Sequence, residues 1–408
     1  MDGQLKESLR TFGAVVLQGP RAVGKTTTAT EAARSSVRMD ADPGLQAVAA
    51  VSPASVLKGD TPRLIDEWQL SPTLWNAVRH EVDDRGEPGQ FILTGSATPA
   101  DDITRHSGAG RMKRLTMRPM ALSEVFGGSP QVPFRSLLDG DRVAAIGAPG
   151  IEEYCELLVR GGWPALIATP DRDAASYLSA YLDDVARVDL AATDTVVDPR
   201  RMEALMDALA RNVATEVPVA RLGREAQIAD DRGLSEVTVR RYLDALTRVF
   251  VLEEQPAWRP HLRSKARVRV APKWHFIDPS LALALLGATP EMLLGDLRTL
   301  GLMFESMCIR DLRVYASRDG GEVMHYRDGV GLEVDAIVQL RTGGWAAFEV
   351  KLGGQAAVDK AVSSLRRLEA KVSEEQRARL LSLNVLTAGP VSYTREDGVN
   401  VIALGHLG

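Results

Sequence analysis

The sequence predicts an α/β protein in three parts: an N-terminal parallel sheet with helices, a mainly helical middle, and a C-terminal α+β domain. Three observations predict it. Short apolar runs alternate with helical stretches through the first third of the chain, the rhythm of parallel strands joined by helices on both faces. A stretch rich in Gly and Pro, residues 126–150, interrupts that rhythm. From about residue 295 the order changes to one helix, three strands, a second helix and two further strands.

The chain has 408 residues, enough for two or three domains with cores of their own. Hydrophobic residues make up 45% and charged residues 25%, the balance of a globular protein. A formal net charge of −5 excludes a polycation, so any nucleic-acid contact must come from a local patch. The two cysteines, Cys155 and Cys308, lie in apolar stretches and read as buried free thiols rather than a disulfide. Together with six scattered histidines they offer no paired spacing for a zinc finger. The chain begins with polar and charged residues (Asp2, Lys6, Glu7, Arg10), and no apolar run is long enough to span a bilayer. A cytoplasmic protein with no membrane partner is the expectation.

In the first third, Ala14 to Leu17, Val37 to Met39, Arg63 to Ile65 and Phe91 to Leu93 read as buried strands, and Leu74 to His80 as one of the helices between them. The first strand runs straight into Gly19-Pro20-Arg21-Ala22-Val23-Gly24-Lys25-Thr26, which fits G-x-x-x-x-G-K-[ST]. Glycines let such a loop wrap round phosphates with its N–H groups inward. The helix that starts near Lys25 aims its positive end at the same place. These eight residues and Thr27 are therefore expected to bind ATP, with Lys25 on the terminal phosphates and Thr26 ligating Mg²⁺. The strand at Arg63-Leu64-Ile65 ends in Asp66-Glu67. Asp66 suits the surroundings of the magnesium ion, and Glu67 suits a base that orients the attacking water. Phe91 to Thr94 runs into Gly95-Ser96, where a hydroxyl could sit between that water and the γ-phosphate. Ser96 is the first choice and Thr94 the alternative, against plain turn residues.

GPRAVGKTT, then LIDEWQ, then FILTGSA, then GRMKRLTMRPMALSE, in this order, resembles a group of bacterial and archaeal AAA-type ATPases. Their C-terminal part is similar to restriction endonucleases, and the resemblance covers nearly the whole chain. It implies an AAA-type N-terminal domain that hydrolyses ATP and often needs an arginine finger. Arg111 is the candidate finger, with Arg105 and Arg114 close behind; a basic surface loop is the competing reading for each.

In the middle, Val239, Tyr242, Leu243, Leu246, Val249 and Phe250 fall on one helical face, after Ser235 as N-cap. A helix around Val219 to Ala229 and the turn Asp231-Arg232-Gly233 precede it. This looks like a winged helix, whose second helix can enter a DNA groove; a mere packing module is the alternative. The segment Arg259 to Lys273 carries Arg259, Arg263, Lys265, Arg267, Arg269 and Lys273 and no acidic residue, so phosphate contact stands beside a solvated basic face.

In the last part, Asp335 lies on one strand, and a turn at residues 341–344 leads to the next, which ends in Glu349-Val350-Lys351. Glu349 and Lys351 share a strand face, and a hairpin can bring Asp335 beside them. Two carboxylates can hold Mg²⁺, with Mn²⁺ as a substitute, and the metal acidifies a water to attack a phosphodiester. Lys351 would orient that water, and Glu305 on the preceding helix could add a ligand. Gln355 could assist, or be a surface glutamine. Glu, Asp and Glu-x-Lys on helix, hairpin and strand resemble the PD-(D/E)XK nuclease fold. An exposed sheet edge, or a fold that binds nucleic acid without cutting it, competes with that reading.

The expected domains are a P-loop AAA-type ATPase at residues 1–130, a linker and helical region at 131–215, a winged-helix-like region at 216–275 and a nuclease-like domain at 276–408. The expected function is ATP hydrolysis coupled to a nucleic-acid-binding domain that either cuts by a metal-dependent route or only binds. A nucleotide-gated switch acting on proteins is the rival. DNA is the expected partner, beside further copies of the chain or another protein.

Overall fold

The computed structural model describes residues 1–97, 108–168, 171–189, 198–227, 233–260 and 271–408. The chain forms two units: residues 1–118 with segments 184–197 and 241–251, and the remainder.

The first unit is built on five strands, β1 (Ala14–Gln18), β2 (Ser35–Arg38), β3 (Arg63–Asp66), β4 (Phe91–Gly95) and β5 (Met112–Thr116). They are all parallel, in the order β2-β3-β4-β1-β5. Four of these are the strands expected from the apolar runs. Those runs are continuous rather than alternating because both faces of the sheet are covered. Ala14, Val16, Ile65, Phe91 and Leu93 pack with Trp68 and with Trp75 and Val78 of the helix Thr73–Arg85. Val15, Leu17, Leu64 and Ile92 pack on the opposite face with Leu5 of the helix Asp2–Thr11 and with Ala29. The fifth strand, β5, escapes an apolar-run search. It pairs on one side only and buries just Met112 and Leu115, while Arg114 is exposed and lies over the Trp75 ring, 4.9 Å from its centroid.

The second unit carries a seven-stranded sheet: β6 (Ala144–Ile146), β9 (Glu322–Arg327), β10 (Glu333–Gln339), β11 (Trp345–Lys351), β12 (Leu380–Thr387), β13 (Val391–Thr394) and β14 (Asn400–Ala403). Their order is β6-β13-β14-β12-β11-β10-β9. β9, β10 and β11 form an antiparallel meander, and β12 pairs parallel with β11 after the helix Gln355–Lys371. Trp345, Ala347, Val334 and Ile337 share a core with Val358, Ala361 and Leu365 of that helix. On β11 the Phe348 ring stacks on Phe134, 6.3 Å away, and Phe134 also meets Tyr315 of the long helix Leu297–Arg318. β6 comes from the Gly- and Pro-rich stretch and adds a short, largely exposed edge; at three and four residues, β6 and β13 are too short to stand out in sequence.

A separate antiparallel pair joins β7 (Leu252–Gln255) and β8 (Lys273–Phe276). These strands lie on either side of the basic segment; β7 carries Glu253 and Glu254, and Arg263, Lys265, Arg267 and Arg269 lie outside the described residues. The helix Glu236–Arg248 begins at Ser235, whose hydroxyl accepts from the Thr238 N–H. It buries Val239, Tyr242, Leu243 and Leu246 as the periodicity requires. It stops short of Phe250, which takes a positive φ of 58° as the chain turns into β7. The preceding helix is Val219–Glu225, and Asp231 and Arg232 lie outside the described residues. Among the described residues no helix is long and apolar enough to cross a membrane. Cys155 and Cys308 are buried free thiols, and burial pushes both upward in pKa.

Candidate nucleotide site and C-terminal carboxylate centre

The strand order places β4 between β1 and β3, so the ends of three strands lie side by side. The loop after β1 is Gly19 to Gly24, and it enters the helix Lys25–Ala32 through Gly24 at φ 92°. Gly19 is required by space as well as by its φ of 152°, since a Cβ there would lie 2.1 Å from the Met117 carbonyl oxygen. Lys25 is buried, and its ammonium donates to the carbonyls of Gly19 (2.9 Å) and Pro20 (2.6 Å), which folds the loop round it. The Thr26 hydroxyl donates to Asp66 at 2.9 Å, and the buried Thr94 hydroxyl donates to the same carboxylate. Hard oxygen donors from Thr26 and Asp66, set this close, fit a hydrated Mg²⁺. When bound, that ion would neutralise charge on the phosphates.

Glu67 follows β3 with φ 54°, in the left-handed region that a glutamate seldom takes. Its carboxylate accepts from Gln69 Nε2 and, at 3.4 Å, from the Ser96 hydroxyl. Of the two hydroxyls named from sequence as alternatives, Thr94 donates to Asp66 and Ser96 to Glu67. Gln69 went unnoticed in the sequence, where it is one polar residue after Trp68. Arg38 at the end of β2 also went unnoticed; it lies 3.7 Å from Asp66. Arg111 pairs with Asp83 on the protein's own surface, Arg114 lies over Trp75, and Arg105 is outside the described residues.

In the second unit the C-terminal candidates converge. Asp335 sits where the β9–β10 register shifts between Val334 and Ile337, and this bulge frees its carboxylate to accept the Val350 N–H at 2.8 Å. Lys351 donates to Asp335 at 3.2 Å and to Glu349 at 2.7 Å. Burial, then the charge of Asp335, pushes the Glu349 carboxyl upward. Burial also pushes Asp335 up, but Lys351 and Lys273 outweigh it and hold that carboxyl below its usual range. Asp335 and Glu349 fit a mostly hydrated Mg²⁺ held by two carboxylates. Glu305 is different, because Lys273 of β8 donates to it at 2.6 Å. Among the described residues no three acidic, histidine or cysteine side chains form a metal cage. Gln355 is exposed, and its Nε2 donates to Asp359.

Lys273 was expected on a DNA-facing basic stretch; it is buried against Glu305 instead. The rest of the β7–β8 pair supports the same centre. Gln255 Nε2 donates to the Asp335 carbonyl at 2.9 Å, and its Oε1 lies 3.0 Å from His275 Nε2. That oxygen only accepts, so His275 Nε2 carries the proton and Nδ1 accepts from Ser306 at 3.1 Å. Burial holds His275 well below its usual pKa, which keeps the ring neutral as this chain of bonds requires. Nothing in the spacing of Gln255, Lys273 and His275 could have tied them to residue 335.

Residues 11–126 match the AAA domain model. Residues 151–292 and 300–407 match two domains of unknown function, DUF8612 and DUF4143. The N-terminal region is thus similar to AAA domains, and the loop from Gly19 to Thr26 lies within the matched residues. Among curated proteins, the uncharacterized proteins Rv2008c of Mycobacterium tuberculosis and Mb2031c of Mycobacterium bovis are each 26% identical over 366 residues, 88% of this chain and 75% of theirs. Among solved structures, the Walker-type ATPase PABY2304 of Pyrococcus abyssi superposes with a TM-score of 0.41 at 14% identity, over 70% of this chain and 94% of that one.

Proposed function

We propose that the ATPase cycle of the N-terminal domain controls a nucleic-acid-binding C-terminal centre that cleaves DNA with Mg²⁺. The observation that carries the reading is the meeting of Lys351 with both Asp335 and Glu349 at 3.2 and 2.7 Å. The element order around it adds support: a helix with Glu305, a three-stranded meander, a helix and a parallel strand, as in PD-(D/E)XK nucleases. Asp335 and Glu349 would hold the metal, whose chemistry is to acidify a water. Lys351 would hold that water and offset charge on the phosphate.

Supercoiled plasmid with Mg²⁺ or Mn²⁺ tests this. Nicking is expected, and Asp335→Ala, Glu349→Ala and Lys351→Ala should each lower its rate about a hundredfold or more. Wild-type protein that binds DNA but leaves every plasmid intact would instead favour a binding centre. The pairing of Glu305 with Lys273 favours that second reading, since it withdraws one carboxylate from metal binding.

DNA binding is expected in the micromolar range or tighter at low salt. Replacing Arg263, Lys265, Arg267 and Arg269 by Ala should weaken it and flatten its dependence on salt. The slope of log affinity against log salt should fall by about 0.9 for each phosphate that is no longer neutralised. A fluorescence-anisotropy titration at several salt concentrations reads both quantities. An unchanged slope removes this segment from the interface.

A further inference from the structure

We propose that Gln69 is a positioning residue for ATP hydrolysis, holding Glu67 through its Nε2 and the attacking water through its Oε1. The inference rests on the ATPase reading of the N-terminal domain. Gln69 lies in the single turn Trp68–Leu70 that follows Glu67. Trp68 anchors that turn in the core and stacks near Trp75, with ring centroids 5.2 Å apart. The turn therefore fixes where the amide points. Nε2 donates to the Glu67 carboxylate, which settles the amide orientation, because the reverse would set two acceptors face to face.

Oε1 is then left buried with no hydrogen-bond partner among the described residues. A buried acceptor without a donor is costly, and it persists where something else uses it. Its position suggests what. A Cβ on Gly95 would come 2.6 Å from this oxygen, so the absent side chain is the room it occupies. Gly95 pairs with Gln18, the residue before the phosphate loop, and precedes Ser96, which donates to the same Glu67 carboxylate. The free oxygen, the carboxylate and the start of the phosphate loop thus lie around one spot.

In hydrolysis the water oxygen bonds to the γ-phosphorus while the bond to the β–γ bridging oxygen breaks, and that electron pair leaves with ADP. Glu67 receives one proton of the water. Gln69 Oε1 accepts a hydrogen bond from the other O–H, which fixes the lone pair that attacks. Gln69 itself gains and loses no proton.

Gln69→Met keeps the length and packing of the side chain and removes both hydrogen bonds. On the full chain it should lower kcat about ten- to a hundredfold. Affinity for a fluorescent ATP analogue should change less than about threefold, and the melting temperature should hold. Gln69→Glu keeps Oε1 but sets a second carboxylate beside Glu67. It should lower kcat by a similar factor while leaving nucleotide affinity within about threefold. A Gln69→Met variant with wild-type kcat overturns the proposal. So does one whose loss appears only as weaker nucleotide binding or a lower melting temperature, since that is a structural role. If wild-type protein binds and hydrolyses no ATP, the ATPase reading itself fails, a result distinct from either.

Discussion

Lys25→Ala should weaken ATP binding about a hundredfold or more, while Glu67→Gln should leave affinity nearly intact and slow turnover by about 10²–10⁴. The two groups act at different stages. On the ATPase reading Lys25 would meet the phosphates in the ground state, and a hydrogen bond to a charged group is worth about 1.5–3 kcal/mol. Its ammonium also holds the Gly19 and Pro20 carbonyls, so removing it loosens the loop that binds. Glu67 would act on the water rather than on the phosphates. Its neighbours are Gln69 and Ser96, and its task begins only when water attacks. Glutamine at position 67 keeps the shape and loses the base. Equilibrium binding of a fluorescent nucleotide and a phosphate-release assay on both variants separate the two effects. Normal turnover in Glu67→Gln would remove Glu67 from catalysis, and unchanged affinity in Lys25→Ala would remove the loop from nucleotide binding.

The arrangement of the candidate nucleotide site was legible because its residues are local. A loop of fixed spacing, two carboxylates at a strand tip and a hydroxyl after the next strand each announce themselves within a few residues. The adjacency of Thr94 and Asp66 then follows from parallel strands that start on one side of the sheet. Gln69 was not legible, because what marks it is the direction of an amide and an unfilled acceptor. The carboxylate centre was legible in part. Strand parity gave Glu349 with Lys351, and the hairpin gave Asp335. The bulge that turns Asp335 toward Val350 leaves no mark in composition. Lys273 misled the reading of the middle region. In sequence it closes a basic run, whereas its partner is Glu305, more than thirty residues away, and only the fold reveals that pairing.

The helix that carries Glu305 is itself anchored by a buried ion trio, and Arg310→Met should expose how much depends on it. Arg310, Asp278 and Asp311 are all buried. The guanidinium reaches Asp278 at 2.6 Å and Asp311 at 2.7 Å. Asp278 also accepts the N–H groups of Gly162 and Ser280, and Asp311 accepts that of Leu122, so the trio ties three distant segments together. Removing the cation leaves two carboxylates buried without a counter-charge, which costs about 3–5 kcal/mol. At about 2–4 °C per kcal/mol for a unit of this size, the melting temperature should fall by roughly 10 °C. The loss should depend on pH in a defined direction. Burial already pushes Asp311 above its usual range with Arg310 present, and without Arg310 the folded-state pKa rises further. A carboxyl whose folded pKa lies above its unfolded value of about 3.9 is accommodated neutral at acid pH, and stability is lost as pH rises through the folded pKa. Arg310→Met should therefore lie closest to wild type near the acid end of the melting series and furthest from it at neutral pH and above. Adding Asp278→Asn and Asp311→Asn should recover part of the loss at neutral pH, because the triple variant buries no lone charge. Thermal melts across pH check all three statements. A shift of less than about 2 °C, or one that is the same at every pH, would show that the trio is not what holds this helix.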